Sequence, residues 1–297
     1  MQYPPRPIKL LAIDIDGTLL NPQKEITPRV VAAVKAARQA GVIVTLATAR
    51  RYIGSMPFAD QLGIEIPLIT HDGALIIHHP HRKVIHTHLL ANEIARQGVE
   101  IMVRHGVQPA IHYINGCDEE IWTGLAEFDN QEVSAYLKTA PDSVRRLAHG
   151  ELCVADPEPL RVVAFGAEEV IYGMIAEIST LPCLWYAIKR GNYGCAEIVI
   201  MPTNCTKASG ISALARHLEI PLEQVMAIGD NTNDIEILQA VGWGVAMGQA
   251  PDVVKAAADA VTASNTEDGV ALAIERYILR SDAPYTSSNS RNRATCL

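Results

Sequence analysis

The chain has 297 residues, is 48% hydrophobic and 20% charged, and carries a formal net charge of -8. That length allows two domains with a sizeable core, and the mix is that of a soluble globular protein. The acidic balance argues against general nucleic-acid binding, which favours basic patches, but not against an anionic substrate where a lysine or metal reverses the local field. The six cysteines form no C-x-x-C pair and no disulfide framework, so reduced thiols in the cytoplasm are expected. No apolar run approaches a membrane span, and the opening MQYPPRPIKL has no apolar secretory core, so no membrane association is expected.

In chain order, Leu10 to Ile13 is an apolar run of strand character that ends in Asp14-Ile15-Asp16-Gly17-Thr18. If the strand direction persists to Asp16, period-two geometry sends both carboxylates to one side. Thr27-Pro28 then reads as a helix N-cap followed by proline at the first position, with Val30, Val31, Val34 and Ala37 on one face and Gly41 as a stop. Val42 to Ala47 is a second strand, ending in Thr48-Ala49-Arg50. Ile66 to Thr70 is a third, ending in His71-Asp72-Gly73. This strand–helix–strand rhythm predicts a parallel sheet covered by helices.

Between 84 and 193 the rhythm breaks. Strands at Ala110–Ile114, Arg161–Phe165 and Leu184–Ile188 alternate with helices near Asn92–Arg104, Gln131–Lys138 and Glu168–Ile178, which reads as a second α/β domain inserted into the first. The histidine-rich run from His78 to His88 has no cysteine and no helical i, i+4 pair, so it is not read as a zinc site. The sheet rhythm is expected to resume at Glu197 to Met201. An amphipathic helix from Lys207 follows, then a strand, Val225 to Ile228, that ends in Gly229-Asp230-Asn231-Thr232-Asn233-Asp234. A short strand within Val241–Met247 and a helix over Gly269–Leu279 complete the fold. The segment 281–297, rich in Ser, Asn and Arg, reads as a disordered tail.

Four polar clusters therefore follow four predicted strands: Asp14/Asp16, Thr48/Arg50, Asp72 and Asp230/Asp234. In an open parallel sheet, ligands bind beyond the carboxyl ends of the strands. The residue types suit phosphoryl transfer. A carboxylate can attack phosphorus, and Asp14 with Asp230 can anchor Mg²⁺, which prefers oxygen ligands. The Thr48 hydroxyl and the Lys207 ammonium can hold phosphoryl oxygens where charge accumulates. Asp16 can protonate the leaving oxygen and later activate water.

The combined pattern resembles the haloacid dehalogenase superfamily of phosphatases, specifically its Cof-type subfamily, over nearly the whole chain except the tail. The carrying residues are Asp14-Ile15-Asp16-Gly17-Thr18-Leu19, Thr48, Lys207 and Gly229 to Asp234. They are joined by GVAMG at 244–248, Val253-Val254-Lys255 and SNTEDGVA at 264–271. The resemblance implies an α/β fold with a Rossmann-like parallel-sheet core, 1–83 and 194–280, and an inserted α/β cap, 84–193. It implies Asp14 as nucleophile and Asp16 as acid/base. Mg²⁺ is to be held by the Asp14 carboxylate, the Asp16 backbone carbonyl and the Asp230 carboxylate, with Asp234 supporting it indirectly or through a water. Asn233 helps position the phosphoryl group or Lys207. The implied activity is Mg²⁺-dependent hydrolysis of a small phosphorylated metabolite, a sugar phosphate or similar, through an aspartyl phosphate. A phosphomutase and a non-catalytic phosphate-binding regulator stand as alternatives. Two positions depart from the pattern: Ala49 where glycine is common, and Asp72 where asparagine is common. Asp72 either accepts hydrogen bonds from substrate hydroxyls or pairs with a cation such as Arg50.

Overall fold

The computed structural model describes residues 3–154, 157–189, 191 and 194–280; the tail read at 281–297 lies outside them. The chain opens with β1 (Leu10–Ile13), α1 (Pro28–Gln39), β2 (Ile43–Leu46), α2 (Tyr52–Leu62), β3 (Pro67–Thr70), β4 (Leu75–His78) and β5 (Val84–Thr87). Next come α3 (Asn92–Arg104), β6 (Pro109–Asn115), β7 (Asp118–Thr123), α4 (Gln131–Leu137), β8 (Val144–Arg146), β9 (Arg161–Gly166), α5 (Glu168–Gly173), α6 (Ile175–Ile178) and β10 (Leu184–Ile188). It closes with β11 (Ala196–Met201), α7 (Lys207–His217), β12 (Val225–Gly229), α8 (Ile235–Ala240), β13 (Trp243–Ala246), α9 (Asp252–Ala257), β14 (Ala260–Val261) and α10 (Gly269–Tyr277). By contact the chain forms two compact units, Met1–Thr45 with Leu218–Leu297, and Leu46–His217.

The first unit is built on a five-stranded sheet in the order β14-β13-β12-β1-β2. β1 and β12 pair in parallel, with Leu10 opposite Val225 and Ile13 opposite Ile228. Their sequences, LLAI and VMAIG, are buried throughout, as expected of central parallel strands covered on both faces. The helix α1 starts where the sequence places it. Thr27 accepts from the Val30 amide at 3.3 Å, Pro28 occupies the first turn, and Val30, Ala33, Val34 and Ala37 are buried. Thr27 also donates its hydroxyl to Asp268 Oδ1 at 2.6 Å, tying the start of α1 to the start of α10.

The second unit holds a six-stranded sheet in the order β10-β11-β9-β6-β7-β8, antiparallel except for the β7–β8 pair. Its core includes Val99 and Met102 from α3, Ile111 and Tyr113 from β6, Val162 and Ala164 from β9, and Ile198 and Ile200 from β11. Two expectations change here. The run Glu197–Met201 does not rejoin the parallel sheet; as β11 it is hydrogen-bonded antiparallel between β9 and β10. A continuous apolar run satisfies either doubly covered position, so its composition cannot choose between them. Likewise β3 is not a full member of the parallel sheet. It forms an antiparallel hairpin with β4, extended by β5, and meets the segment after β2 through the parallel bridge Ala47–Ile69.

Thr27→Ala removes both the cap and the tie to Asp268. It should lower unfolding free energy by about 1–2 kcal/mol in urea titration, with Thr27→Ser recovering most of it. A loss of no more than about 0.3 kcal/mol would contradict the capping account.

Candidate active site

In the first unit the parallel register brings the carboxyl ends of β1 and β12 side by side, and the Asp14 amide donates to the Ile228 carbonyl at 3.0 Å. The strand does not persist to Asp16. Ile15–Leu19 instead forms a wide turn in which the Leu19 amide donates to Asp14 O at 3.1 Å and the Leu20 amide to Ile15 O at 3.0 Å. Gly17 sits in the left-handed region at φ +82°, and a Cβ there would stand 2.3 Å from Asp230 Oδ2. Only glycine lets the turn close over that carboxylate. Thr18 donates its hydroxyl to Asp230 Oδ1 at 2.9 Å. Asp234, buried on the turn 232–234 beside Asn233, accepts from the Asp230 and Asn231 amides, both at 3.0 Å.

The outcome is a group of three carboxylates, Asp14, Asp230 and Asp234, each offering an oxygen within 4.8 Å of the others; Asp16 does not belong to it. An all-oxygen anionic donor set of this kind suits a small hard dication, and these residues fit Mg²⁺.

The remaining predicted site residues lie in the second unit. The Thr48 amide donates to Ile69 O at 2.9 Å, and its hydroxyl accepts from the Arg50 amide at 3.1 Å. Asp72 N donates to Thr48 O at 3.0 Å, so the two loops lock together. Lys207, 2% exposed, opens α7. That helix packs on β3 and the 71–73 turn so closely that a Cβ on Gly210 would stand 2.6 Å from the Ile69 side chain. Gly73, at φ +102°, likewise has no room for a Cβ, which would meet Thr206 O at 2.3 Å.

Asp72 accepts from the Tyr186 hydroxyl at 2.8 Å, a β10 residue that sequence reasoning missed. Burial and the Asp72 charge push that phenol well above its usual pKa, so it stays a donor. Arg161, also missed, is buried and donates from Nη1 to Ala49 O at 2.9 Å. Its signal in the sequence is a charge entering the apolar run of β9. Arg50 donates to Gly54 O at 3.3 Å and lies over the Phe58 ring.

Glu119 of β7 went unflagged for a different reason: in sequence it is one acid among several. Its carboxylate accepts from the Tyr52 amide at 2.9 Å, the Ile53 amide at 3.0 Å and His71 Nε2 at 2.7 Å. Burial pushes Glu119 up, but the His71 hydrogen bond and the two amides outweigh it and hold the group below the usual carboxylate range. Burial, with Arg161 adding to it, drives His71 down to about 4 against the pull of Glu119. The imidazole is therefore neutral near pH 7, and the contact is a hydrogen bond to a carboxylate rather than an ion pair.

A sequence profile of haloacid dehalogenase-like hydrolases matches residues 11–274. A 5-amino-6-(5-phospho-D-ribitylamino)uracil phosphatase of Bacillus subtilis is 30% identical over 277 residues, covering 92% of this chain and 96% of its own. A putative phosphatase of Haemophilus influenzae is 28% identical over 268 residues, covering 90% and 97%. The crystal structure of a haloacid dehalogenase-like hydrolase from Bacteroides thetaiotaomicron superposes with a TM-score of 0.74 at 27% identity, covering 91% of this chain and 99% of that one. The chain belongs to the haloacid dehalogenase-like hydrolase family, with the α/β fold and parallel core expected of it. Within that family it is a Cof-type phosphatase. Among the described residues, no helix is long and apolar enough to cross a membrane.

The neutral His71 has a consequence for stability. Between pH 6.5 and about 4 the unfolded chain binds a proton that the folded imidazole does not, so stability falls as pH drops through that window. The full shift corresponds to roughly 3 kcal/mol, and His112, lowered by burial and by Arg161, acts in the same direction. His71→Gln should flatten the decline in Tm between pH 7 and pH 5. An unchanged slope would contradict the assignment of a neutral His71.

Proposed function

We propose that the chain hydrolyses small phosphorylated metabolites through an aspartyl phosphate on Asp14, with Mg²⁺ held by the Asp14 and Asp230 carboxylates and the Asp16 backbone carbonyl. The observation that carries this is the convergence of Asp14, Asp230 and Asp234 within 4.8 Å at the ends of two adjacent parallel strands. Bound Mg²⁺ would supply positive charge that lets an anionic substrate approach these carboxylates. Asp14 attacks phosphorus, and the bond from phosphorus to the leaving oxygen breaks as Asp16 gives that oxygen a proton. Water then attacks the same phosphorus while Asp16 takes its proton. The bond to the Asp14 carboxylate breaks, and phosphate departs.

By their motif positions, Thr48 and Lys207 hold the phosphoryl oxygens, and Asn233 helps place them. Asp234 spends one oxygen on the Asp230 and Asn231 amides, so its part is to fix the loop that presents Asp230. The 84–193 segment, as the cap of the family, selects the leaving group. Asp72 reaches that choice through its hydrogen bond from Tyr186.

With p-nitrophenyl phosphate, activity should need Mg²⁺ and vanish in excess chelator. Asp14→Asn should lose turnover by at least about a thousand-fold. Asp234→Asn should retain chemistry while weakening apparent Mg²⁺ affinity about 10–100-fold. Full hydrolysis in excess chelator, or an active Asp14→Asn protein, would overturn the proposal. A panel of phosphorylated metabolites assayed under the same conditions identifies the preferred leaving group.

A further inference from the structure

The stretches 244–248 and 264–271 resemble family signatures yet supply none of the reacting groups above. Gln249, which follows the first, and Asn265, within the second, reach the turn that carries Asp16. Gln249 Nε2 donates to the Gly17 carbonyl at 2.6 Å, and Gln249 Oε1 accepts from the Asn265 amide at 3.1 Å. Asn265 Nδ2 in turn donates to the Leu20 carbonyl at 2.8 Å. One continuous amide link thus grips two carbonyls three residues apart, one just after Asp16 and one at the end of its turn.

The turn has use for such a grip. Its own bonds from the Leu19 and Leu20 amides end on the Asp14 and Ile15 carbonyls, and the Gly17 and Leu20 carbonyls take their donors from Gln249 and Asn265. Asp16 is not helical, at φ -81° and ψ 119°, and Gly17 beside it is left-handed, so the direction in which Asp16 leaves the turn depends on how the turn's backbone is held. The base of the grip is itself braced. Ser264 donates its hydroxyl to Glu267 Oε2 at 2.6 Å, and the Gly248 amide donates to Ala263 O at 2.9 Å.

We infer that Gln249 and Asn265 are positioning residues that hold Asp16 in the orientation from which it passes its proton to the leaving oxygen. The inference rests on the acid/base role proposed for Asp16. A group that only stabilises the fold would slow all substrates alike. A group that aims a general acid matters most where the leaving oxygen is most basic.

The test compares kcat/KM for p-nitrophenyl phosphate and phenyl phosphate, using the full chain with saturating Mg²⁺. Asp16→Asn sets the reference. Gln249→Glu keeps the acceptor for Asn265 but loses the donor to Gly17, and Asn265→Asp loses the donor to Leu20; Gln249→Met serves if the new charge prevents folding. Each should lower kcat/KM for phenyl phosphate about ten-fold more than for p-nitrophenyl phosphate, in the same direction as Asp16→Asn. In metal-free protein, amide exchange at Leu19 and Leu20 should quicken in the same variants. Equal changes on both substrates, while Asp16→Asn discriminates, would overturn the inference and leave the hydrolase reading standing. If Asp16→Asn does not discriminate, the acid/base role falls and the inference falls with it.

Discussion

Asp14, Asp230 and Asp234 offer oxygens within 4.8 Å of one another, and like charges at that spacing repel by about 3–4 kcal/mol per pair at an effective dielectric near 20. The parallel register of β1 and β12 imposes this closeness, because the residues after Ile13 and Ile228 leave the sheet at the same edge. Hydrogen bonds from Thr18 and from the backbone amides of residues 230 and 231 offset part of the repulsion. The rest favours a bound dication. The same feature that makes the first unit costly to fold therefore suits it to hold a metal ion.

The second unit solves a different problem. The loops carrying Thr48 and Asp72 have to be held without extended secondary structure of their own. Buried and half-buried polar groups from the antiparallel sheet do this: Arg161 on Ala49 O, Tyr186 on Asp72, and Glu119 on two amides and His71. Such contacts are worth more than the exposed ion pairs of Arg96 with Glu93 or Arg104 with Glu177, which water and salt weaken. Losing one partner of a buried set also leaves the other unsatisfied, which raises the cost of any change there.

Much of this was legible in the sequence where local chemistry is specific. Thr27-Pro28 could only begin a helix economically, and of the aspartates that follow apolar strands Asp14, Asp230 and Asp234 come together while Asp16 stands outside their group. What could not be read depends on contacts distant in sequence. Glu197–Met201 reads equally well as a core strand and as the antiparallel strand it is, since both positions demand an unbroken apolar run. The expected continuation of β1 to Asp16 gave way to a turn because Gly17 adopts a left-handed conformation against Asp230, a contact more than two hundred residues away. Glu119 and Gln249 carry no sequence signal at all, because nothing local distinguishes a structural carboxylate or amide from a solvated one.

The central claim is that one carboxylate, Asp14, forms the bond to phosphorus. Rapid acid quench of the full chain with Mg²⁺ and a phosphate ester, followed by peptide mass spectrometry, measures it directly. The account predicts one added phosphoryl group on the peptide containing Asp14, sensitive to hydroxylamine and missing in Asp14→Asn. Phosphate on any other residue, or none under conditions where turnover is rapid and dephosphorylation limiting, would contradict it.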